Sequence, residues 1–175
     1  MAISAFAVKV PAAESIVGDL RRRYDATAAL GVPAHITLLV PFMTPALITA
    51  EVLERARQAL DRTPSFAFAL REVGRFPGTA YLAPQPATPF IDITRALVKT
   101  FPDFPPYGGE HQGIVPHLTV AHGNASDADA AAAELQSRLL VSGAVHAICA
   151  EVALIENSSG NWLDMHVFRL ARAPD

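Results

Sequence analysis

Two stretches of the chain, AHITLLVPF at 34–42 and PHLTVAH at 116–122, set a histidine and a threonine in one frame, apolar-His-apolar-Thr-apolar. Both are rich in β-branched and apolar residues and read as strands. Side chains of a strand alternate between its faces, so His35 and Thr37 project to one side, ~7 Å apart along the chain. His117 and Thr119 do the same. Ile36, Leu38, Leu118 and Val120 point the opposite way and are expected to anchor each strand to a core. Any fold this chain adopts must accommodate two such strands, each buried behind and presenting an imidazole and a hydroxyl in front.

The remaining segments alternate in character. Residues 3–10 (ISAFAVKV) read as a strand, and 11–24 as a helix that begins at a proline and carries Ile16, Val17 and Leu20 at helical spacing. After the first motif, residues 44–63 predict a helix with Thr44 as cap and Pro45 in its first turn. Phe66, Phe68 and Leu70 alternate like a strand, and RFPGTAYLAP holds a Pro-Gly turn before another strand. The second half repeats this plan. A helix over 88–101 opens on Thr-Pro, a turn-rich stretch leads to the second motif, and a helix over 126–140 has Ser126 as its cap. Two closing strands follow, VHAICAEVALIE (145–156) and NWLDMHVFRLA (161–171), joined by the turn NSSG. Because paired strands recur without an intervening helix, a parallel doubly wound sheet is disfavoured. The expected architecture is α+β and bilobal: duplicated antiparallel sheets related by a pseudo-twofold, helices packed outside, and a central groove. The 175 residues are expected to form one domain, 1–175, of two interleaved, similar lobes.

Composition limits the partners. Fourteen Lys and Arg against 17 Asp and Glu leave a net charge of −3, which disfavours long duplex nucleic acid, since that requires many phosphates to be neutralised. Arg21, Arg22 and Arg23 read as a solvated helix end, because adjacent helical residues point in different directions. Apolar runs are too short to span a bilayer, and the start of the chain lacks the pattern of a signal peptide. With a single cysteine, Cys149, set in an apolar strand pattern, a cytoplasmic protein without a disulfide framework is expected.

If the two motif strands face one another, two imidazoles and two hydroxyls share a site. Phosphodiester cleavage needs a base for the attacking oxygen and an acid for the leaving one. Imidazole titrates near neutrality and serves either role, while hydroxyls donate to the non-bridging phosphate oxygens. A metal site is a weaker reading, since His-x-Thr has no second ligand at short spacing.

On HITL (35–38) and HLTV (117–120), the chain resembles the two-histidine (2H) phosphoesterase superfamily, which includes bacterial 2′,5′ RNA ligase-like proteins and cyclic nucleotide phosphodiesterases. Pro41 and Phe42 after the first motif, Pro116 before the second, and Trp162 after the closing turn are similar to that family. The resemblance implies a bilobal fold with both motifs in one groove and metal-free, cofactor-free chemistry. His35 and His117 would be the acid–base pair and Thr37 and Thr119 the phosphate holders. The substrates implied are 2′,3′-cyclic phosphate ends, 2′,5′ linkages or small nucleotide cyclic phosphates. A monomer is expected. The alternative is a non-catalytic module on the same fold that binds RNA ends or nucleotides. One departure stands out. RNA ligase-like members often carry Arg shortly after the second motif, where this chain has His122, which disfavours ligase activity and tight RNA binding more than hydrolysis. Strict alternation turns His122 away from His117, although a twisted strand end would still bring it to the groove rim.

Of the remaining candidates, Tyr81 and Phe42 either stack on a base or pack in the core. His111, in the Gly-rich loop before the second motif, is solvated or lines the entrance. His146 and His166 read as structural or surface residues.

Overall fold

The structure, a computed structural model, describes residues 1–110 and 113–173. Among them, eight strands and four helices run in the order β1 (Ser4–Lys9), α1 (Glu14–Tyr24), β2 (His35–Leu39), α2 (Ala50–Leu60), β3 (Phe66–Phe76), β4 (Thr79–Gln85), α3 (Thr88–Thr100), β5 (Leu118–His122), α4 (Ala125–Ser142), β6 (Val145–Cys149), β7 (Glu151–Glu156) and β8 (Leu163–Arg169). The strands form a sheet of order β6-β3-β4-β5-β2-β1-β7-β8, and every registered pair is antiparallel. The expected α+β class and antiparallel halves are present. The halves, β5-β4-β3-β6 and β2-β1-β7-β8, meet edge to edge where β2 pairs with β5. Strand twist and bulges curl the sheet, until Pro64 at the head of β3 bridges Ala171 beyond β8.

The four helices lie on one face. Phe6, Val8, Ile36, Leu118 and Leu82 from the strands form one core with Val17 and Leu20 of α1, Leu60 of α2, Phe90, Ile93 and Leu97 of α3, and Leu135 of α4, all at most 2% exposed. Each such side chain contributes ~1.5–3 kcal/mol of burial free energy, so the motif strands are held from behind as their alternation predicts. Leu38 and Val120 are buried on that face too, at 3% and 0% exposure. The opposite, helix-free face carries the motif histidines and threonines.

Several local expectations change. VHAICAEVALIE is two strands, not one: the chain breaks at Ala150, leaving β6 on β3 at one edge while β7 joins β1 in the other half. Nothing local marks that break, because both pieces are apolar and β-favouring. The 44–63 helix opens later than its Thr-Pro start. Pro45–Leu47 make a 3₁₀ turn, and Thr49, accepting from the Val52 amide at 3.3 Å, caps α2. In α4 the cap is Asn124, accepting from the Asp127 amide at 2.8 Å, rather than Ser126. Arg21 is not part of a solvated helix end. It lies 2% exposed on the inner face of α1 and pairs with Asp25, while Arg22 and Arg23 are exposed. Cys149 is buried, and burial pushes its thiol up to about 12. Among the described residues no helix is long and apolar enough to cross a membrane.

Candidate active site

The two motifs meet at the centre of the sheet. Ile36 of β2 is the registered partner of Leu118 of β5, both fully buried. Carrying that register one residue each way sets His35 opposite Thr119 and Thr37 opposite His117, on the helix-free face. Directly opposed Cβ atoms lie ~4.5–5.5 Å apart and diagonal neighbours ~7–8 Å, so the imidazoles occupy one diagonal of a four-residue square and the hydroxyls the other. A pseudo-twofold through the Ile36–Leu118 pair exchanges the motifs. All four side chains are half-buried, open on the groove side.

Both imidazoles are held in the same way. His35 Nδ1 lies 2.8 Å from the Pro33 carbonyl oxygen, and His117 Nδ1 lies 2.7 Å from that of Val115, two residues back in each case. A carbonyl only accepts, so Nδ1 carries the proton and donates it, and Nε2 holds the lone pair of the neutral ring. The carbonyl that orients His35 is itself braced on both sides. The Ala34 amide donates to Glu14 Oε1 at 2.6 Å, and the Arg21 guanidinium donates to the Val32 carbonyl at 3.1 Å. Arg21 also donates twice to Asp25 Oδ2, and Asp25 Oδ1 accepts from the Thr27 amide and hydroxyl. Burial holds the His35 imidazole below its ordinary range. The Pro33 hydrogen bond opposes that shift, and the Arg21 charge adds to it.

Each motif strand bulges one residue after its threonine. Between β1 and β2 the register shifts so that Leu38 is the unpaired residue, and between β4 and β5 the unpaired residue is Val120. The second bulge resets the alternation. Thr119 pairs with Tyr81 and His122 with Thr79, two residues back on the same face of β4, so His122 returns to the groove face at the end of β5. Strict alternation therefore gives the wrong face for His122. Its Nδ1 is 3.0 Å from Thr79 Oγ1, and the residue is exposed.

The two sides of the site differ. Around His117 stand Phe76, Tyr81 and Tyr107, with ring centroids 5.2, 5.3 and 6.1 Å from the imidazole. Tyr81 and Phe76 stack at 4.5 Å, and the Tyr81 ring lies across Gly74, where a Cβ would come within 2.2 Å of it. Burial pushes the Tyr107 phenol up to about 12. Sequence reading missed Phe76, although the two-residue Pro77-Gly78 turn pairs Phe76 with Thr79 and so puts it on the face of Tyr81. Nothing in the loop sequence marked Tyr107. Beside His35 the equivalent strand positions hold Ala7, partner of Thr37, and Lys9, partner of His35.

Tyr81 is thus placed in the groove as a candidate contact. Phe42 is not: at 3% exposure it packs against Phe6, Phe101 and Phe104 in the core, and its reading as a stacking residue is corrected. His111 lies outside the described residues. His146 and His166 are exposed on strands β6 and β8. Among the described residues no group of three or more His, Cys, Asp or Glu side chains is placed to hold a metal ion.

Residues 8–161 match the model of the 2′-5′ RNA ligase superfamily. Two curated relatives, each named as a putative phosphoesterase, come from Bacillus pumilus (28% identical over 108 residues) and Bacillus cytotoxicus (32% over 115). The matched stretches cover 62% and 63% of this chain and 62% of each relative's own length. Similar solved structures include E. coli LigT complexed with 3′-AMP (TM-score 0.64, 16% identity, 97% of this chain and 98% of that one) and with NADP⁺ (TM-score 0.62, 16% identity, the same coverage). A Thermus thermophilus protein, TT0787, follows at a TM-score of 0.57 and 16% identity, covering 98% of this chain and all of its own. At these identities the likeness is one of fold.

Proposed function

The chain belongs to the 2′-5′ RNA ligase superfamily, and from that premise we propose that it is a phosphoesterase that opens nucleotide 2′,3′-cyclic phosphates or cleaves 2′-linked phosphodiesters, with His35 and His117 as acid and base. The supporting observation is the mirrored arrangement across Ile36 and Leu118: two imidazoles, each with Nδ1 tied to a carbonyl, on one diagonal, and two hydroxyls on the other. A phosphate seated over the square is flanked by Nε2 atoms on opposite sides, the geometry of an in-line displacement.

In hydrolysis of a cyclic phosphate, one Nε2 takes a proton from water as its oxygen bonds to phosphorus. The second imidazole, as imidazolium, gives a proton to the ribose oxygen whose bond to phosphorus breaks, leaving a phosphomonoester and a free hydroxyl. Thr37 and Thr119 donate to the non-bridging oxygens as their charge grows. The two sides suit different roles. Burial keeps His35 unprotonated near neutrality, as a base requires. The Phe76 and Tyr81 rings wall the other side and fix where the His117 imidazole stands, which leaves it as the acid in this scheme. His122 lies at the end of the same face, where an imidazole lacks the two-pronged fork by which a guanidinium grips phosphate.

The test is turnover of nucleoside 2′,3′-cyclic phosphates in the presence of a chelator, followed by chromatography of the monophosphate product. Product formation supports the phosphoesterase. No product from a set of nucleoside and ADP-ribose cyclic phosphates points to a binding module on this fold, and activity abolished by chelator overturns the metal-free scheme.

A further inference from the structure

On the reading that this site acts on nucleotide phosphodiesters, we infer that the cleft beside His35 receives the nucleobase and prefers guanine. The cleft, about 270 Å³, lies between the loop before β2 and the turn before β8, and Lys9, Pro33, Ile155, Trp162 and Asp164 line it. It adjoins the site through two of its lining residues. Lys9 is the strand partner of His35, and Pro33 supplies the carbonyl that holds the His35 ring. The volume lies just below the ~300–1,000 Å³ of sites for drug-sized ligands, the scale of one base rather than a whole nucleotide.

Its chemistry combines a flat apolar surface with one donor and one acceptor. Trp162 is half-buried against Ala5, Ala7, Val32 and Ala153, and its backbone amide donates to the Leu30 carbonyl at 2.7 Å, which ties the turn to the loop. An indole so anchored offers a stacking face to any base. Lys9 Nζ contacts both Asp164 oxygens, at 2.5 and 2.6 Å, across the mouth of the cleft. Their side chains are 29% and 43% exposed, so parting them costs little. Guanine answers both groups with one edge: O6 accepts from the ammonium, while N1–H and N2–H donate together to the carboxylate. Adenine offers one donor and one acceptor there, and the pyrimidines offer a single ring donor or amine and less area to stack.

The mirror position in the other half cannot do this. Ala83 extends the β4 register to stand where Lys9 does, and the Tyr81 and Phe76 rings fill the face above Gly74. The asymmetry orients a substrate, with its base on the His35 side and its phosphate over the motif square.

Trp162 is the single tryptophan of the chain, so its fluorescence reports on the cleft without any need for turnover. Titration with guanosine, adenosine, cytidine and uridine 3′-monophosphates should give saturable quenching, with guanosine bound roughly tenfold or more tightly than the others. Asp164→Asn, at an exposed position, should erase most of that preference and leave adenosine affinity nearly unchanged. No quenching by any of the four at millimolar concentration, or equal affinities unaffected by Asp164→Asn, overturns the assignment. Turnover of cyclic phosphates without base preference or quenching removes the subsite and leaves the phosphoesterase standing. Guanine-selective quenching without turnover of any cyclic phosphate does the reverse.

Discussion

Ile36 faces Leu118 across the junction of β2 and β5, the registered pair through which these two strands join the halves of the sheet. Both side chains are sealed in the core, so the pair acts as a fixed hinge point about which His35 and His117 are related. Small displacements of either strand would move an imidazole off its diagonal.

Replacing His35 or His117 by Ala should lower kcat by roughly 10²–10⁴-fold, the usual contribution of a positioned proton-transfer group. Both act in one step, so the double variant should fall far short of the product of the single effects. Steady-state kinetics on a cyclic phosphate would show this. Full activity in either single variant would remove that histidine from the chemistry.

Thr37→Val and Thr119→Val keep a β-branched shape on a half-buried face and delete a donor to phosphate. Each should cost roughly 10–10³-fold in kcat/KM while leaving the melting temperature nearly unchanged. A large fall in melting temperature would instead make the hydroxyl structural.

The pH dependence follows from His35, whose imidazole is partly desolvated at the base of the groove. Its folded-state pKa is depressed below the ordinary 6.5, so the unfolded chain takes up this proton first as pH falls. The stability His35 contributes is therefore full above about 6.5 and is lost progressively from there down to the depressed folded value. Urea midpoints at descending pH should drop more in the wild type than in His35→Gln. If His35 is the base, the acid limit of kcat/KM should also fall below pH 6.5. An acid limit above that value would assign the base elsewhere.

Gly74 gives Tyr81 the space to lie against His117. A Cβ there would sit 2.2 Å from the ring, so Gly74→Ala should displace it and lower kcat/KM by roughly 10–100-fold through misplacement of the site wall. Tyr81→Ala relieves the clash, so Gly74→Ala should have almost no further effect in that background. An additive double variant would show that Gly74 matters for another reason.

Arg21 and Asp25 form a buried pair with side chains 3% and 2% exposed. Arg21→Met leaves the Asp25 charge without its partner and should destabilise the protein by ~3–5 kcal/mol, read by urea unfolding. Glu14→Gln keeps an acceptor for the Ala34 amide and should retain activity, whereas Glu14→Ala should lower kcat by loosening the Pro33 carbonyl. Equal activities for the two Glu14 variants would mean that the brace does not reach His35.

The features legible from residue order alone are local: the α+β alternation, the two strands carrying His-x-Thr, and the assignment of Ile36, Leu38, Leu118 and Val120 to the core. Each follows from a period of two or 3.6 residues, and such periods are set by the chain's own geometry. Tertiary structure decided what depends on a distant partner. It split 145–156 between the two halves, since β6 and β7 are told apart only by pairing with β3 and β1. It buried Arg21 against Asp25 and Phe42 among Phe6, Phe101 and Phe104. It turned His122 back to the groove through a bulge at Val120, which no alternation pattern reveals, because a bulge exists only relative to the strand beside it. It also supplied the carbonyls of Pro33 and Val115 that set the imidazole tautomers, since backbone groups leave no trace in residue type.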